Sequence, residues 1–256
     1  MTPLLQTQHL QLMINQQMLL QDLNLTIQAG QCWAILGRNG VGKTTLLHAL
    51  AGLHPPQKGV VLLNGHPIDR LSRRQVAQEL GVLFQSEEKN FPATVLETAL
   101  MGRHPHLSLW ERESNHDHHL ACQALAQVGL ANFENRPVHT LSGGEQRRLD
   151  VAVLLTQNPN LFLLDEPTNH LDFSYSLSIL NTICQQTKSH KKAVIMILHD
   201  INLAVRFCDF FLFLFGEGKM HIGSAQEMLT EPLLERLYGH PLREVRYSGR
   251  SIWVAE

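Results

Sequence analysis

The chain is poor in the features that would commit it to several large classes of protein. Its four cysteines, Cys32, Cys122, Cys184 and Cys208, are scattered without CxxC spacing. That argues against a disulfide framework and fits reduced thiols. Charge of one sign is missing: 21 Lys and Arg against 23 Asp and Glu leave a net charge of -2. No overall basic surface therefore argues for nucleic acid as a partner. Phe210 to Phe215, as long an apolar run as the sequence contains, is far too short to span a bilayer. The opening MTPLLQTQHLQ lacks the basic-then-apolar layout of a signal peptide. The expectation is a soluble, cytoplasmic protein that is still able to sit on a membrane protein. Aromatic residues are 6% of the chain, and no Tyr, Phe or Trp precedes Trp33. No internal repeat or low-complexity segment interrupts an ordinary globular composition, 44% hydrophobic and 17% charged. The 256 residues suit one large domain or a core with an inserted subdomain.

What is present is concentrated in GRNGVGKTT, Gly37 to Thr45. An apolar run, Cys32 to Leu36, precedes it, and a periodic run, Leu46 to Ala51, follows it. That is strand, tight glycine turn, helix. Gly37, Gly42, Lys43 and Thr44 fit the pattern G-x-x-x-x-G-K-[ST]. Glycines let backbone N–H groups close around phosphate oxygens with no side chain in the way. The helix that starts there points its positive dipole end at the anion. Lys43 supplies a mobile charge for the outer phosphates, and the Thr44 hydroxyl a ligand for Mg2+. Gly37, Asn39, Gly40, Gly42, Lys43, Thr44 and Thr45 are the candidate binding residues of this turn.

Along the chain, Leu10, Leu12 and Ile14 alternate with His9, Gln11 and Met13 and predict a first strand. A second is expected from about Met18 to Ile27, and another from Val60 to Leu63, antiparallel and linked by hairpins. A short helix from about Ser72 to Glu79 leads to a buried strand, Gly81 to Phe84, ending on Gln85. From Ser86 to about Asn158 no strand is expected. Thr94 and Glu97 form a capping box opening a helix through Met101, which His104-Pro105-His106 breaks. Helices from about His116 to Val128 and from about Glu145 to Thr156 follow. The block from 86 to 158 reads as a helical insertion into an α/β core made of 1–85 and 159–256. Leu161 to Leu164 and Ala193 to Leu198, apolar throughout and joined by a helix, give the parallel-sheet pattern. Asp200 caps the next helix, Phe210 to Phe215 pairs with Met220 to Ile222, and Ser248-Gly249 turns a final hairpin.

In open α/β sheets, ligands bind at the carboxyl ends of strands. Gln85, Asp165-Glu166 and His199 each follow an apolar run and are the candidate site residues. Asp165 is placed to hold Mg2+, Glu166 to polarise the attacking water, Gln85 to touch the metal or that water, and His199 to bond the γ-phosphate. One further motif, LSGGEQRR from Leu141 to Arg148, puts Ser142-Gly143-Gly144 at a helix N-terminus. It reads as a second anion site built from the same physics. His104, His106, His116, His118 and His119 lack the Cys or paired carboxylates that would complete a metal site and read as solvated loop residues.

These motifs together resemble the nucleotide-binding subunit of an ABC transporter over nearly the full chain. GRNGVGKTT resembles its Walker A loop, Gln85 its Q-loop, LSGGE its signature, LFLLDE its Walker B, Asn169-His170-Leu171-Asp172 its D-loop and His199 its switch histidine. The resemblance implies a P-loop NTPase fold, with a mostly parallel sheet, an N-terminal antiparallel β subdomain and an inserted helical subdomain. It also implies ATP and Mg2+ as cofactors, and a head-to-tail dimer that sandwiches two ATP molecules. Each nucleotide would lie between one chain's Walker A and the other's Ser142, Gly143, Gly144 and Glu145, with Asp172 close by. Catalysis would fall to Glu166, His199 and Gln85, and Mg2+ binding to Thr44, Gln85 and Asp165. Permease subunits and, indirectly, a substrate-binding protein are the implied partners, at the inner face of the membrane. The family usually stacks an aromatic residue on adenine; here that position falls near Ile14, so weaker base selectivity is expected. The segments FPATVLE, MGRHPH and LYGHPL resemble ATPases of the group that imports iron-siderophores, haem and cobalamin, cobalamin being favoured. The alternative is a soluble, non-transport ABC ATPase. Such proteins usually carry two nucleotide domains or a long coiled-coil insertion, and this chain has neither.

Overall fold

Buried side chains two residues apart sort this chain onto the two faces of one central sheet. A computed structural model describes residues 2–14, 17–85, 92–108, 110–189, 191–247 and 249–256. The chain opens with β1 (Leu5–Ile14), β2 (Gln17–Leu23) and the two-residue β3 (Thr26–Ile27). β4 (Cys32–Gly37) then leads through the glycine turn into α1 (Lys43–Leu50). β5 (Lys58–Leu63), β6 (His66–Pro67), α2 (Arg73–Glu79) and β7 (Leu80–Leu83) follow. Three helices come next, α3 (Val95–Leu100), α4 (Asn115–Gln127) and α5 (Gly143–Gln157). β8 (Leu161–Asp165), α6 (Phe173–Ser189), β9 (Ala193–Ile197), α7 (Ile201–Phe207), β10 (Phe210–Gly216) and β11 (Lys219–Ser224) return to the sheet. The short helices α8 (Ala225–Met228) and α9 (Glu231–Tyr238) and a hairpin of β12 (Leu242–Tyr247) with β13 (Arg250–Ala255) end it.

The central sheet has the order β11-β10-β4-β9-β8-β7. Every pair is parallel except β10 with β11, which closes the edge as a hairpin. Parallel neighbours are covered on both faces, so β8 and β9 are buried at every position. Cys32, Ala34 and Leu36 turn to one face with Phe162, Val194 and Phe211; Trp33 and Ile35 turn to the other with Leu163, Ile195 and Leu212. The second face packs α1 and the antiparallel sheet, in which β2, β3 and β5 all pair with β1 and β6 with β5.

The strand expected from Met18 to Ile27 is two strands. Asp22 takes a left-handed φ of 59°, and the buried Thr7 hydroxyl replaces the ladder at the break. It donates to the Leu23 carbonyl (2.9 Å) and accepts the Leu25 amide (2.9 Å). The strand before Gln85 lies one residue earlier than expected, Leu80–Leu83. His104-Pro105-His106 does not end the helical path at once. The backbone tightens into a 3-10 turn over Met101–His106, and the Pro105 carbonyl accepts Arg74 Nε (3.0 Å) and Gln78 Nε2 (2.8 Å) from α2.

α3, α4 and α5 pack on one another through Val95, Ala99, Ala121, Leu125, Leu149 and Ala152, all buried. Each begins with a capping box, on Thr94, Ser114 and Ser142. Among the described residues from 92 to 158 the only β pairing is an isolated bridge, Thr94 with Pro137. Arg103 Nε reaches Asp117 Oδ1 (2.8 Å) while its Nη1 donates to the Thr156 carbonyl (3.2 Å), tying α4 to the end of α5. The Ser114 hydroxyl and amide, then Arg103, hold the Asp117 carboxyl well below the usual carboxylate range. Among the described residues no helix is long and apolar enough to cross a membrane.

Candidate nucleotide site

Neighbouring parallel strands deliver their carboxyl ends side by side, about 4.8 Å apart. β4 ends in the glycine turn, β9 in Leu198-His199, β8 in Asp165-Glu166 and β7 in Phe84-Gln85. The turn needs its glycines: Gly40 has φ 77° and Gly42 φ 100°. A Cβ on Gly42 would also meet Leu19 Cδ1 at 2.9 Å. Gly42 is the N-cap of α1 and has no side chain to cap with, so the first amides of that helix are left for a ligand.

A cavity of ≈ 500 Å³ at this edge is lined by Asn39, Gly40, Gly42, Lys43, Thr44, Thr45, Gln85, Glu166 and His199. Ile14, Gln17 and Leu19 complete its lining. The structure thus brings these expected residues together, with an aliphatic and amide surface in the Ile14 region. Gly37 sits just behind: Lys43 Nζ donates to its carbonyl (2.8 Å) and to that of Arg38 (3.1 Å). Lys43 is buried, and desolvation pulls its pKa down against the opposing charges of Glu166 and Asp165.

Asp165 is 1% exposed, and neither carboxylate oxygen has a hydrogen-bond partner. Burial raises its pKa; the nearby Thr44 hydroxyl offsets part of this without closing a hydrogen bond. An unpaired buried carboxylate is costly unless a cation completes it. Thr44, Gln85 and Asp165 line one cavity of ≈ 630 Å³ on the same side and offer only oxygen donors of the kind a hard cation takes. The donor set therefore fits Mg2+.

Glu166 occupies the left-handed region at φ 47°, which costs about 1–2 kcal/mol for a residue with a Cβ. Its Oε1 lies 2.6 Å from His199 Nε2, and its Oε2 accepts Asn169 Nδ2 (3.2 Å). A carboxylate only accepts, so Nε2 is the protonated nitrogen of that histidine.

Ser142, Gly143, Gly144, Glu145 and Asp172 are not among the residues lining this cavity. Ser142 caps α5 by accepting the Glu145 amide (3.3 Å), and Glu145 returns to the Ser142 amide (2.7 Å) and pairs with Arg136 (3.1 Å). Asp172 accepts the Tyr175 amide (2.9 Å) at the start of α6. Gly144 lies against that same segment, where an added Cβ would meet the His170 carbonyl at 3.3 Å. Among the other histidines, His48 packs edge-on against Phe84, and His106 and His118 are hydrogen-bonded to the carbonyls of Gln157 (2.9 Å) and Ser114 (3.0 Å). Among the described residues no group of three His, Cys, Asp or Glu could hold a metal ion.

Two residues of this region, Asn169 and Arg147, lie inside motifs that the sequence reading named but were given no role there. Asn169 reaches Glu166 from three residues downstream. Arg147, 1% exposed on α5, donates to the carbonyls of Phe84 (2.6 Å), Asp165 (2.6 Å) and Glu166 (2.7 Å). The available signal was a pair of adjacent arginines ahead of the apolar run Val151 to Leu155 in the same helix; both are buried.

A glycine-rich phosphate loop at the carboxyl edge of a parallel sheet, beside an unpaired aspartate and a glutamate–histidine pair, defines a P-loop ATPase. Residues 20–169 match the family model described as ABC transporter. The achromobactin transport ATP-binding protein of Dickeya dadantii is 35% identical over 229 residues, 90% of this chain and 85% of that protein. The ferric enterobactin transport ATP-binding protein of Escherichia coli is 34% identical over 220 residues, 86% and 81%. A solved metal-chelate type ABC transporter in an inward-facing conformation superposes with a TM-score of 0.85 at 26% identity, covering 99% of this chain and 98% of that one. The chain belongs to the ABC transporter family, and it is an ATP-binding ATPase of that class.

Proposed function

We propose that this chain is the ATP-hydrolysing subunit of an importer for an iron(III)–siderophore or a chemically similar metal chelate. The single observation behind the hydrolytic reading is the grouping at one sheet edge of the phosphate loop, the unpaired Asp165 and the 2.6 Å Glu166–His199 pair. Backbone amides of Asn39 to Thr45 and the Lys43 ammonium hold the phosphates. Thr44, Asp165 and Gln85 hold Mg2+, which when bound neutralises charge on the outer phosphates. Glu166 takes a proton from the attacking water, and His199 keeps its carboxylate aimed.

Ser142, Gly143, Gly144 and Glu145 face a second copy, so that ATP closes a head-to-tail dimer and hydrolysis reopens it. Their absence from the cavity of their own chain is what supports this. Residues 86–158 act as the moving helical part beside a core of 1–85 and 159–256, and the permease docks on it. Trp110 is 92% exposed there, and Leu107 lines a cavity of ≈ 600 Å³ with Arg73 and Glu111. Phe91 and Leu109 of the same block lie outside the described residues. The importer reading and its substrate class draw on the siderophore names of the relatives. Cobalamin and haem stand behind siderophores on that ground. The protein then works at the inner face of the membrane, with a binding protein feeding the permease.

Glu166→Gln keeps the shape of the side chain and loses its basicity. It should retain ATP, lower turnover about a thousand-fold and trap the closed dimer in gel filtration. Wild-type turnover would move the base elsewhere. The transport reading is tested in liposomes with the cognate permease and binding protein. Expected is ATP-dependent accumulation of a ferric chelate, with cobalamin as comparator. Preferred uptake of cobalamin overturns the substrate class. Robust ATPase activity uncoupled from either substrate returns the soluble alternative.

A further inference from the structure

One side chain of the signature-bearing helix reaches both strand ends that carry the hydrolytic residues. Arg147 sits on α5, in the second turn after Ser142, and its guanidinium is enclosed. The carbonyls it holds belong to Phe84, Asp165 and Glu166. They belong to the peptide unit that leads into Gln85 and to the two that flank Glu166. A planar fork reaches these three carbonyls from two nitrogens with fixed donor directions, a spread that the single nitrogen of an ammonium does not reproduce.

The position is expensive for mere packing. Burial depresses the Arg147 pKa against the charges of Asp150, Asp165 and Glu166, and Nε has no partner. Apolar residues of similar volume fill such a place at least as stably. Glu166 needs outside support, because its left-handed backbone at φ 47° persists only when its surroundings fix it. Arg147 supplies that support from the helix that begins with Ser142-Gly143-Gly144.

We propose that Arg147 is a positioning residue for hydrolysis, acting through Glu166 and transmitting the placement of α5 to it. This rests on the assignment of Glu166 as the base. When a partner's nucleotide engages Ser142, any shift of α5 carries the guanidinium with it. The peptide units at Asp165 and Glu166 follow. Each chain's base is thus set by whether its own signature is engaged.

The test uses the full chain with Arg147→Lys, alone and combined with Glu166→Gln. Alone, Arg147→Lys should lower kcat about a hundred-fold while affinity for ATP stays within about three-fold, as expected for misplacement of a reacting group by about 1 Å. On the residual single-turnover rate of the Glu166→Gln chain it should cost less than about three-fold, because its effect passes through a base already removed. A merely structural role would give losses that add in the double variant, or a joint fall of affinity and kcat. Either result overturns the proposal, as does unchanged kcat. Arg147→Gln, neutral and of similar reach, repeats the measurement if the buried lysine fails to fold. Failure of both to bind nucleotide assigns Arg147 to folding instead. Near-normal turnover of Glu166→Gln itself would instead overturn the underlying assignment of the base.

Discussion

Two helices of this chain begin on glycine-rich turns, and they begin differently. α1 starts after Gly42, left-handed and without a side-chain cap. α5 starts after Ser142 with a closed capping box. At α1 the amide donors have no internal acceptor on offer, so the anion has to come from outside. At α5 the Glu145 amide is already taken by Ser142 Oγ, and the amides of Gly143 and Gly144 remain. In this box the carboxylate also pairs with Arg136. The hydroxyls of Ser72, Thr94, Ser114 and Ser224 donate to the side chain three residues on. The Glu145 carboxylate gives one oxygen to the Ser142 amide and the other to Arg136, and the Ser142 amide, then the Ser142 hydroxyl, lower the carboxylate's pKa. A capped helix holds its shape alone, and the amides of Gly143 and Gly144 are its remaining first-turn donors. The first turn is built to be completed by nucleotide; on the proposed reading the second is presented to another molecule.

The largest expected effect falls on the first turn. Lys43→Ala removes the one Lys or Arg among the described residues that line the cavity. ATP turnover should fall about a thousand-fold, and nucleotide titration should report the loss of tight binding. If affinity is retained, the phosphates are held elsewhere and the contrast between the two turns fails.

The contrast is sharpened by crossing the lesions. A Lys43→Ala chain cannot use its own loop, and a Ser142→Arg chain cannot serve a partner. Each alone should be inactive, while mixing them creates dimers with one site free of both changes. ATPase activity should partly return. Proven mixed dimers without any recovery would count against a shared site, unless both sites have to fire together.

Glycine substitution separates the two turns on a finer scale. Gly42→Ala forces a Cβ into a φ of 100° and against Leu19, so it should abolish nucleotide binding by the chain itself. An added Cβ on Gly143 meets nothing within 4 Å, and alanine there favours the helix by about 0.5–1 kcal/mol. Gly143→Ala should therefore keep the fold and ATP affinity, and should lose only dimer-dependent hydrolysis. Loss of ATP affinity on Gly143→Ala would place that glycine in its own chain's site.

The sequence carried the site's residues because their chemistry is local. A phosphate loop needs its glycines at fixed spacing, and Thr94 with Glu97 or Asp200 before α7 announce a cap within three residues. Apolar runs marked the parallel strands because both of their faces are buried. What stayed hidden depends on distant partners. The break at Asn24-Leu25 comes from the Thr7 hydroxyl, 18 residues from Leu25. The 3-10 turn through Pro105 holds Gly102 against the α5 backbone, where an added Cβ would sit 2.3 Å from the Val153 carbonyl. Arg147 acts on residues 63 and 18 positions away, and its spacing in the helix says nothing of either.

The smallest expected effect tests the frame that holds the second turn in place. Asp117 is bonded by Ser114 and Arg103 between α4 and α5, and its folded pKa lies well below the unfolded value. Its contribution is fully present above the unfolded carboxylate pKa of about 3.9 and fades as pH falls through the folded one. Asp117→Asn keeps the shape and removes the charge. It should cost about 2 kcal/mol at pH 7, the scale of a hydrogen bond to a charged group. Urea unfolding at pH 7 and at about pH 3 should show the gap between wild type and variant narrowing in acid. A gap of equal size at both values would mean that packing around Asp117, and not its charge, joins the two helices. Lys43 and Glu166 lie on other elements, so ATP affinity should hold in this variant while the melting temperature falls. The frame of the second turn would then be separable from the chemistry of the first.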